Sequence, residues 1–455
     1  MLIDGLRLSA DEQAMLAGEA GPGVQKAMEI VVALGQIYGA SSLVPVASVQ
    51  VSGVSYKNLG DAGLAFLEEW AAQGGRARVP ATLNPAGMDR VSWRELGFPE
   101  SFALRQEAVI AAYVALGIVP TCTCTPYLIG TVPGLGEHVA WAESSAVAYA
   151  NSVLGARTNR EGGPSALAAA ITGRTACYGL HLDEHRSATA LVDVRCAITS
   201  EADLGALGYL VGQRVKSGVP YFRLQEEAPP QSTPWHRNAT GGRQPARSLP
   251  RWARDSTAAW WHRAERATGG RQEEGMGLNA LGAAMAASGA VALFHVEGLT
   301  PEARQGVAID PTRPVQQFIV DDLAPGYAAL NGPAEAIDMV SIGCPHASLT
   351  DLEAIAAALD DRRVAAQLWI TTSRAVRVAA EAAGLVARIE TSGARVVADT
   401  CLVVAPVAEL GFRSMATNSA KMAFYAPSHS GVSVRFGPLE QCLEAALTGK
   451  WIENA

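Results

Sequence analysis

Helical and strand-like hydrophobic patterns alternate along this chain. Residues 99–117 repeat apolar positions every three or four residues, whereas the run IVPTCTCTPY at 118–127 is typical of a buried strand that ends in a loop. Short apolar runs bounded by turn residues predict further strands at 42–52, 76–85 and 367–373. Because these strands alternate with helical segments, the pattern indicates an α/β fold class.

The same pattern divides the chain into lobes. We expect a first α/β lobe over residues 1–224, a second over 275–405, and a carboxy-terminal segment, 406–455, that completes the core. Residues 225–274 interrupt the alternation, since they are rich in Arg and Trp and contain the hexamer ATGGRQ twice. Helix-then-strand order resumes after them, so we interpret 225–274 as an inserted surface loop.

Composition and charge exclude several classes of protein. The net charge of −8 counts against a nucleic-acid partner, because phosphate binding needs concentrated positive charge. No apolar stretch reaches the roughly 20 residues that cross a bilayer, and the amino terminus lacks the pattern of a secretory signal. Seven cysteines are few for a chain of this length, and their odd number does not suit the disulfide framework of a secreted protein. We therefore expect a cytoplasmic protein with no membrane partner.

Three cysteines share one local setting. Cys124 in CTPY, Cys344 in GCPH and Cys401 in DTC each lie at the end of a predicted strand, where α/β folds place ligands. Three thiolates that meet there could hold an iron–sulfur cluster or a single iron with an open coordination position. Structural zinc is also possible, but it usually shows close-set C-x₂-C pairs, which this sequence lacks. The other cysteines in apolar runs are expected in the core: Cys177, Cys196 and Cys442.

Longer motifs resemble a known family. The stretches CTPYLIG, AWAESSAVAYANSVLGARTNREGGPSALAAAITGRT, YGLHLDEHR, SIGCPHASL, ADTC and TNSAKMAFYAPSHSGVSVRFG look like the large subunit of aconitase X, a distant branch of the aconitase superfamily. The resemblance covers the chain apart from 225–274. It implies an aconitase-like core of several α/β domains that lacks the small swivelling domain.

This resemblance implies a hydro-lyase that dehydrates a small hydroxy acid. The substrate it favours is cis-3-hydroxy-L-proline, which would give Δ¹-pyrroline-2-carboxylate, and the alternative is mevalonate 5-phosphate. A hypothesis from another class is a non-enzymatic RNA-binding relative, in which the Arg- and Trp-rich segment would bind RNA. The negative net charge counts against that hypothesis.

The resemblance also implies a metal centre and a partner. By motif the ligands are Cys124, Cys344 and Cys401, with Cys122 as the competitor for the first position. The centre would be an iron–sulfur cluster, with the 2Fe–2S form favoured, or a mononuclear iron. A separate small subunit would supply the catalytic base. Among the histidines His138, His181 and His346, the last is the best candidate for a hydrogen-bond donor beside the cysteines.

Further residues are expected to bind substrate or take part in catalysis. Glu143, Ser144 and Ser145 lie in an apolar helical stretch, where unpaired burial would cost several kcal/mol, so we expect them at the site. Arg160, beside a helix amino terminus, would anchor the substrate carboxylate unless it forms an ion pair with Glu161. Lys421 is a catalytic candidate, and turn chemistry is the alternative explanation for most of the remaining substrate-binding candidates, which are Ser52, Gly53, Ser55, Lys57, Asn84 and Asn159.

Overall fold

The computed structural model describes residues 2–3, 5–224 and 276–453, with the backbone alone at residues 2, 3 and 276. The predicted insertion at 225–274 therefore lies outside the described residues. The described part of the chain forms layers of helices on mainly parallel sheets, which confirms the predicted α/β class.

The amino-terminal part is built on a parallel sheet of order β5-β4-β6 and two short antiparallel pairs, β1-β2 and β3-β7. Its strands are β1 Leu2–Ile3, β2 Leu6–Arg7, β3 Leu43–Pro45, β4 Val49–Val51, β5 Ala81–Leu83, β6 Ala140–Trp141 and β7 Arg174–Ala176. Its helices are α1 Ala10–Leu16, α2 Pro22–Ile37, α3 Tyr56–Ala72, α4 Glu100–Ala115, α5 Ser144–Ser152 and α6 Gly163–Thr172.

The strand predicted at 118–127 is present only as an isolated parallel bridge between Val119 and Thr82 of β5. The segment runs beside β5, and the Thr123 amide still donates to the Leu83 carbonyl at 3.1 Å. Cys122 adopts a left-handed conformation with φ of 45°, which interrupts a regular ladder. The predicted helix before it is confirmed as α4.

A second, four-stranded parallel sheet has the order β10-β9-β8-β11. Its elements are β8 Ala190–Val194, α7 Glu201–Val215, β9 Pro220–Leu224, α8 Met276–Gly289, β10 His295–Val296, α9 Pro301–Arg304, β11 Gln316–Val320 and α10 Ala324–Leu330. Glycines let α7 and α8 approach closely, since a Cβ atom on Gly289 would lie 2.0 Å from the Gly212 carbonyl oxygen.

A third sheet has five parallel strands in the order β14-β13-β12-β15-β16. Its elements are β12 Met339–Ala347, α11 Leu349–Leu359, β13 Gln367–Thr372, α12 Arg374–Ala382, α13 Leu385–Thr391, β14 Arg395–Ala398, β15 Ser414–Thr417, α14 Ala420–Ser430, β16 Ser433–Phe436 and α15 Leu439–Thr448. None of the helices in the described ranges combines the length and the apolarity needed to cross a membrane.

The sheets divide the chain differently from the predicted lobes. Strands β8 and β9 precede the 225–274 segment, yet they pair with β10 and β11, which follow it. The strands β15 and β16, from the segment expected to complete the core, extend the sheet of β12. Parallel neighbours are joined by crossovers rather than tight turns, so the linear order of elements did not reveal these pairings.

A buried ion pair connects the first and second sheets. The Arg186 guanidinium, in a residue that is 3% exposed, donates to both carboxylate oxygens of Glu302 at 2.5 and 3.2 Å. It also donates to the side chain and the backbone of Asn151 on α5. Because each nitrogen of the Arg186 guanidinium donates to an acceptor, the ion pair fixes α5 against α9.

His138 and His181 lie beside this ion pair and hydrogen-bond to each other, with 2.9 Å between their Nδ1 atoms. They are thus not donors beside the cysteines. Burial lowers the pKa of His181 to about 3, and the charges of His138, Arg186 and Arg157 add to the effect. His181 is therefore neutral in the folded protein.

We predict that His181 makes stability depend on pH between 7 and 5. The unfolded imidazole takes up a proton near its ordinary pKa while the folded one does not, so stability falls as the pH falls from 7 to 5, by about 2 kcal/mol through this residue alone. The His181→Asn variant should lose correspondingly less stability over that range in urea titrations. Replacing the exposed His185 with Asn is the control and should leave the wild-type pH dependence in place; equal dependence in all three proteins would contradict the prediction.

Candidate active site

A cleft of about 510 Å³ lies between the amino-terminal part and the sheet of β12–β16. Its walls are the loops after β4, β5 and β14, the residues that lead into α5 and α6, and one face of α14. The structure brings many of the predicted residues together here, because the carboxyl ends of parallel strands face it. Those that line it are Ser52, Gly53, Ser55, Asn84, Glu143, Ser144, Arg160, Cys401 and Lys421.

An ion pair between Glu143 and Lys421 lies at the inner end of the cleft. The Lys421 Nζ donates to Glu143 Oε1 and, at 3.1 Å, to the Ser144 hydroxyl. The other carboxylate oxygen of Glu143 accepts from Asn84 Nδ2 at 3.0 Å, and Ser145 Oγ donates to Oε1 at 3.3 Å. The side chains of both ions are largely buried, with 10% of Lys421 and 14% of Glu143 exposed.

Both partners of this pair are charged at neutral pH. Burial by itself would raise the pKa of Glu143, but the charge and hydrogen bond of Lys421, with Arg160 nearby, bring that pKa below its ordinary value. Burial would likewise lower the pKa of Lys421, but Glu143 and the thiols of Cys344 and Cys124 hold it well above its ordinary value. The pair therefore stays ionised because each charge compensates the other.

The thiols of Cys124, Cys344 and Cys401 lie around this ion pair. Burial raises the pKa of all three, and to about 12 for Cys401. The charge of Glu143 raises these values further and that of Lys421 opposes it. Hydrogen bonds bring the three loops together although they are far apart in sequence, since His346, two residues after Cys344, bonds to the Cys124 thiol and to the Thr400 carbonyl beside Cys401.

Within residues 5–224 and 277–453, no three His, Cys, Asp or Glu side chains are arranged closely enough to hold a metal ion. The three thiols are neighbours, but they do not converge on one point. Three thiols are nonetheless soft sulfur ligands for a metal, and they lie beside the cleft.

Cys122 points elsewhere. Its side chain is fully buried in the hydrophobic core of the amino-terminal part, and its charged neighbours are Asp399 and Arg90. The left-handed conformation of Cys122 reverses the regular alternation, which separates the two thiols of the CTC sequence. Cys124 therefore remains the candidate ligand of the two.

His346 connects the three cysteine loops. Its backbone amide donates to Cys124 Sγ at 3.1 Å, and its Nε2 donates to the Thr400 carbonyl, beside Cys401, at 2.9 Å. Its Nδ1 then accepts from the Thr123 hydroxyl at 3.1 Å. Burial lowers the pKa of His346 to about 4, so the ring is neutral and holds the loops in register.

Some predicted substrate-binding residues are occupied by backbone contacts. Ser55 Oγ donates to the Val404 carbonyl at 2.8 Å, and Lys57 Nζ donates to the carbonyls of Ala405 and His429 at 3.0 and 3.2 Å. These bonds hold the two walls of the cleft together. Asn159 likewise binds the loop at 178–180 through both ends of its amide and does not line the cleft.

Arg160 does not form the alternative ion pair with Glu161. The Glu161 carboxylate accepts from the Ser165 and Thr175 hydroxyls at 2.5 and 2.9 Å. Among the residues that the structure describes, no acidic side chain lies within ion-pair distance of the exposed Arg160 guanidinium. Arg160 is therefore a free cation at the mouth of the cleft.

Sequence reasoning missed Ser419, two residues before Lys421 in the TNSAK motif. Burial raises the pKa of Cys344, while the charge of Lys421 and a hydrogen bond from the Ser419 side chain lower it. The Ser419 hydroxyl also accepts from the Met422 amide at 3.1 Å and begins α14. The sequence feature that could have identified Ser419 is its position as a helix N-cap, three residues before Met422.

We predict that Lys421→Met destabilises the metal-free protein by about 3–5 kcal/mol, because it leaves the Glu143 carboxylate buried without its counter-ion. The double variant Lys421→Met/Glu143→Gln should be less destabilised than the single variant in urea titrations at pH 7. Since the folded pKa of Glu143 is depressed, the pair stabilises the fold at neutral pH and its contribution is lost as the pH falls through that pKa.

The matched control is Arg105→Met, which breaks an exposed pair with Asp61 of 3.4 Å. An exposed pair is worth about 0–1 kcal/mol. If the double variant is no more stable than Lys421→Met alone, the two charges are not energetically coupled as the geometry requires.

Three domain models of one family match this chain in succession. The models of the aconitase X first, second and third domains match residues 5–184, 265–323 and 337–448. The chain is similar to a crystal structure of Thermococcus kodakaraensis aconitase X in its holo-form, with a TM-score of 0.80 and 41% identity over 97% of this chain and 100% of that one.

Two curated relatives differ in their named substrates. The chain is 47% identical to the phosphomevalonate dehydratase large subunit of Methanothermobacter thermautotrophicus, over 93% of this chain and 95% of the relative. It is 36% identical to the cis-3-hydroxy-L-proline dehydratase of Pseudomonas aeruginosa, over 98% of this chain and 71% of the relative. These matches confirm the resemblance seen in the motifs. The chain therefore belongs to the aconitase X family, and it is a dehydratase of that family.

Proposed function

We propose that this chain is the large subunit of a hydro-lyase that dehydrates mevalonate 5-phosphate. The observation that carries the dehydratase site is the Glu143–Lys421 ion pair at a cleft that Cys401 lines, with His346 bonding the loops of Cys124 and Cys401 together. For the substrate, relatives named phosphomevalonate dehydratase large subunit include chains 47% and 42% identical to this one. Those named for cis-3-hydroxy-L-proline, the substrate favoured by the motifs, are 36% and 32% identical. Mevalonate 5-phosphate, the alternative substrate in the sequence analysis, is thus better supported than cis-3-hydroxy-L-proline.

The cysteine set suits an iron–sulfur centre. Cys124, Cys344 and Cys401 would hold it, and when bound it would supply a Lewis acid for the leaving hydroxyl. The 2Fe–2S form that the family resemblance favours is kept as the proposal over a mononuclear iron. The nearby Lys421 ammonium favours the thiolate form that ligation requires.

The chain's own residues would bind and polarise the carboxylate end of the substrate. Mevalonate 5-phosphate is a 3-hydroxy acid, so dehydration removes a proton from C2 and the hydroxyl from C3. The Lys421 Nζ keeps its proton and would stabilise the negative charge that builds on the carboxylate as the C2 proton leaves. Glu143, Asn84 and Ser144 would hold that ammonium in place.

Arg160 would bind the phosphate. Mevalonate 5-phosphate carries anionic groups at both ends, whereas hydroxyproline carries a carboxylate and an ammonium close together. With Lys421 inside the cleft and an unpaired Arg160 at its mouth, the cleft offers a cation for each end. A planar guanidinium binds a phosphate through two parallel hydrogen bonds. This differs from the carboxylate role expected for Arg160 from the sequence.

A partner would complete the site. Several relatives of this length are named large subunits, and the chain covers 71% of the longer Pseudomonas aeruginosa relative. We propose that a separate small subunit closes the cleft and supplies the base that removes the C2 proton. The RNA-binding hypothesis depended on the 225–274 segment, which lies outside the described residues.

We predict that the complex with its small subunit dehydrates mevalonate 5-phosphate with a kcat/KM at least about a hundredfold above that for cis-3-hydroxy-L-proline, because a site built for a polar group rejects substrates that lack it. Cys344→Ser and Cys401→Ser should lose bound iron and activity together. Cys196→Ser, which changes a half-buried cysteine away from the cleft, is the control and should keep both. Full activity in the first two variants would remove the metal assignment, and preference for hydroxyproline would reverse the substrate assignment.

We predict that Arg160→Gln raises the KM for mevalonate 5-phosphate by about 10- to 100-fold, the value of a hydrogen bond to a charged group. Turnover of unphosphorylated mevalonate, measured at saturating concentrations, should change little, since that substrate lacks the group that Arg160 binds. The exposed Arg362 is the control position. An equal loss for both substrates would show that Arg160 does not distinguish the phosphate.

A further inference from the structure

Three charged side chains form a buried network behind Cys401. The Arg374 guanidinium donates to Asp89 Oδ1 at 2.6 Å and to Asp399 Oδ2 at 2.5 and 3.2 Å. Asp89 is fully buried and Asp399 is 3% exposed, whereas the Arg374 side chain is 30% exposed. Arg374 thus bridges a carboxylate of the amino-terminal part and one that follows β14.

This network is linked directly to the backbone of the Cys401 loop. Asp89 Oδ2 accepts from the Ala398 amide at 2.8 Å, just before Asp399. Asp399 itself adopts a left-handed conformation with φ of 61°, which turns the chain from β14 towards the cleft. The loop that bears the candidate ligand therefore begins at the two carboxylates that Arg374 joins.

The same loop is paired with the segment that carries Asn84. The Ala86 amide donates to the Asp399 carbonyl at 2.7 Å, and the Cys401 amide donates to the Ala86 carbonyl at 3.0 Å. Ala86 lies two residues after Asn84, whose amide binds Glu143. A shift of Asp399 would thus move the Cys401 thiol relative to the ion pair at the centre of the site.

We propose that Arg374 is a positioning residue for the metal centre: by bridging Asp89 and Asp399 it holds the Cys401 thiol where Cys124 and Cys344 can share a cluster with it. The inference rests on the proposed function only in taking Cys401 as a metal ligand. Arg374 itself does not line the cleft and would touch neither substrate nor metal.

Electrostatics explain why the network needs a cation at this point. Asp89 and Asp399 are two buried carboxylates that share the single Arg374 guanidinium. Without Arg374, Asp89 would still have Arg377 at 3.6 Å, whereas Asp399 would keep the Arg90 backbone amide on its Oδ2 at 3.4 Å but would have no ion pair among the described residues. Two like charges in a buried site repel strongly, so Asp399 and its loop would move apart from Asp89.

The test uses the full chain with its small subunit and two readouts. Iron per chain is measured as isolated, and after metal removal the initial rate of alkylation of each cysteine by iodoacetamide is followed by mass spectrometry. In Arg374→Met we expect less bound iron and Cys401 alkylation at least about tenfold faster than in wild type, which corresponds to about 1.4 kcal/mol in the opening of the loop. Cys124, which is 8% exposed and held by His346, should keep its wild-type rate.

Two further variants separate positioning from general destabilisation. Asp399→Asn in the Arg374→Met background removes the unpaired charge, and Asn tolerates a left-handed conformation, so iron retention and slow Cys401 alkylation should return towards wild type. Arg174→Met removes a similar bridging arginine, paired with Asp11 and Glu12 on the far side of the amino-terminal part, and should leave both readouts unchanged.

Each result of this test either supports or contradicts the positioning role of Arg374. Uniformly faster alkylation of all cysteines, or no rescue by Asp399→Asn, would overturn it. If Arg374→Met does not fold, Arg374→Gln, which removes the charge but keeps an amide that can donate to a carboxylate, takes its place with the same expectations. Failure of the proposed function would appear separately, as a wild-type complex that holds iron but does not dehydrate mevalonate 5-phosphate.

Discussion

The arrangement of the site depends on the buried ion pair between Glu143 and Lys421. Glu143 precedes α5 in the amino-terminal part, and Lys421 is the second residue of α14 in the last sheet, 278 positions later. Neither charge would be tolerated at this burial alone, since an isolated buried ion loses its hydration without compensation. The pair therefore forms only when the two parts of the chain are correctly docked, and its two charges then act in opposite directions on thiols whose pKa is raised mainly by burial.

Around this pair, hydrogen bonds between loops fix the walls of the cleft. Ser55 and Lys57 bind backbone carbonyls of the opposite wall, and His346 joins the three cysteine loops. Gln106, which is fully buried, accepts from the amides of Tyr56 and Gly87 and donates to the Val54 carbonyl. It thereby ties the loop after β4 to the loop after β5. These side chains bond to buried backbone groups. Among the described residues that line the cleft, Arg160 and Lys421 are thereby left as cations that can face a substrate.

Several predictions from the sequence depended on whether a polar residue faces substrate or backbone. Asn84, Ser144 and Lys421 do line the cleft. Ser55 lines it too, but its hydroxyl is already bonded to a carbonyl, and Asn159 binds a neighbouring loop. A polar residue at a strand end has the same sequence signature in both cases, because turn chemistry and substrate binding use the same side chains. The choice between them is made by partners that lie far away in the chain.

By itself, the sequence determined the α/β class, helices such as α4 and the motifs that place the chain in its family. These are properties of neighbouring residues, set by the hydrophobic period along the chain. Only the tertiary structure decided that β8 and β9 pair with β10 and β11, that Cys124 rather than Cys122 joins the other thiols, and that Arg160 has no partner in Glu161. Each of these depends on contacts between residues that are far apart in the sequence. Packing of the whole chain decides whether such contacts form, so they leave no local pattern in the sequence.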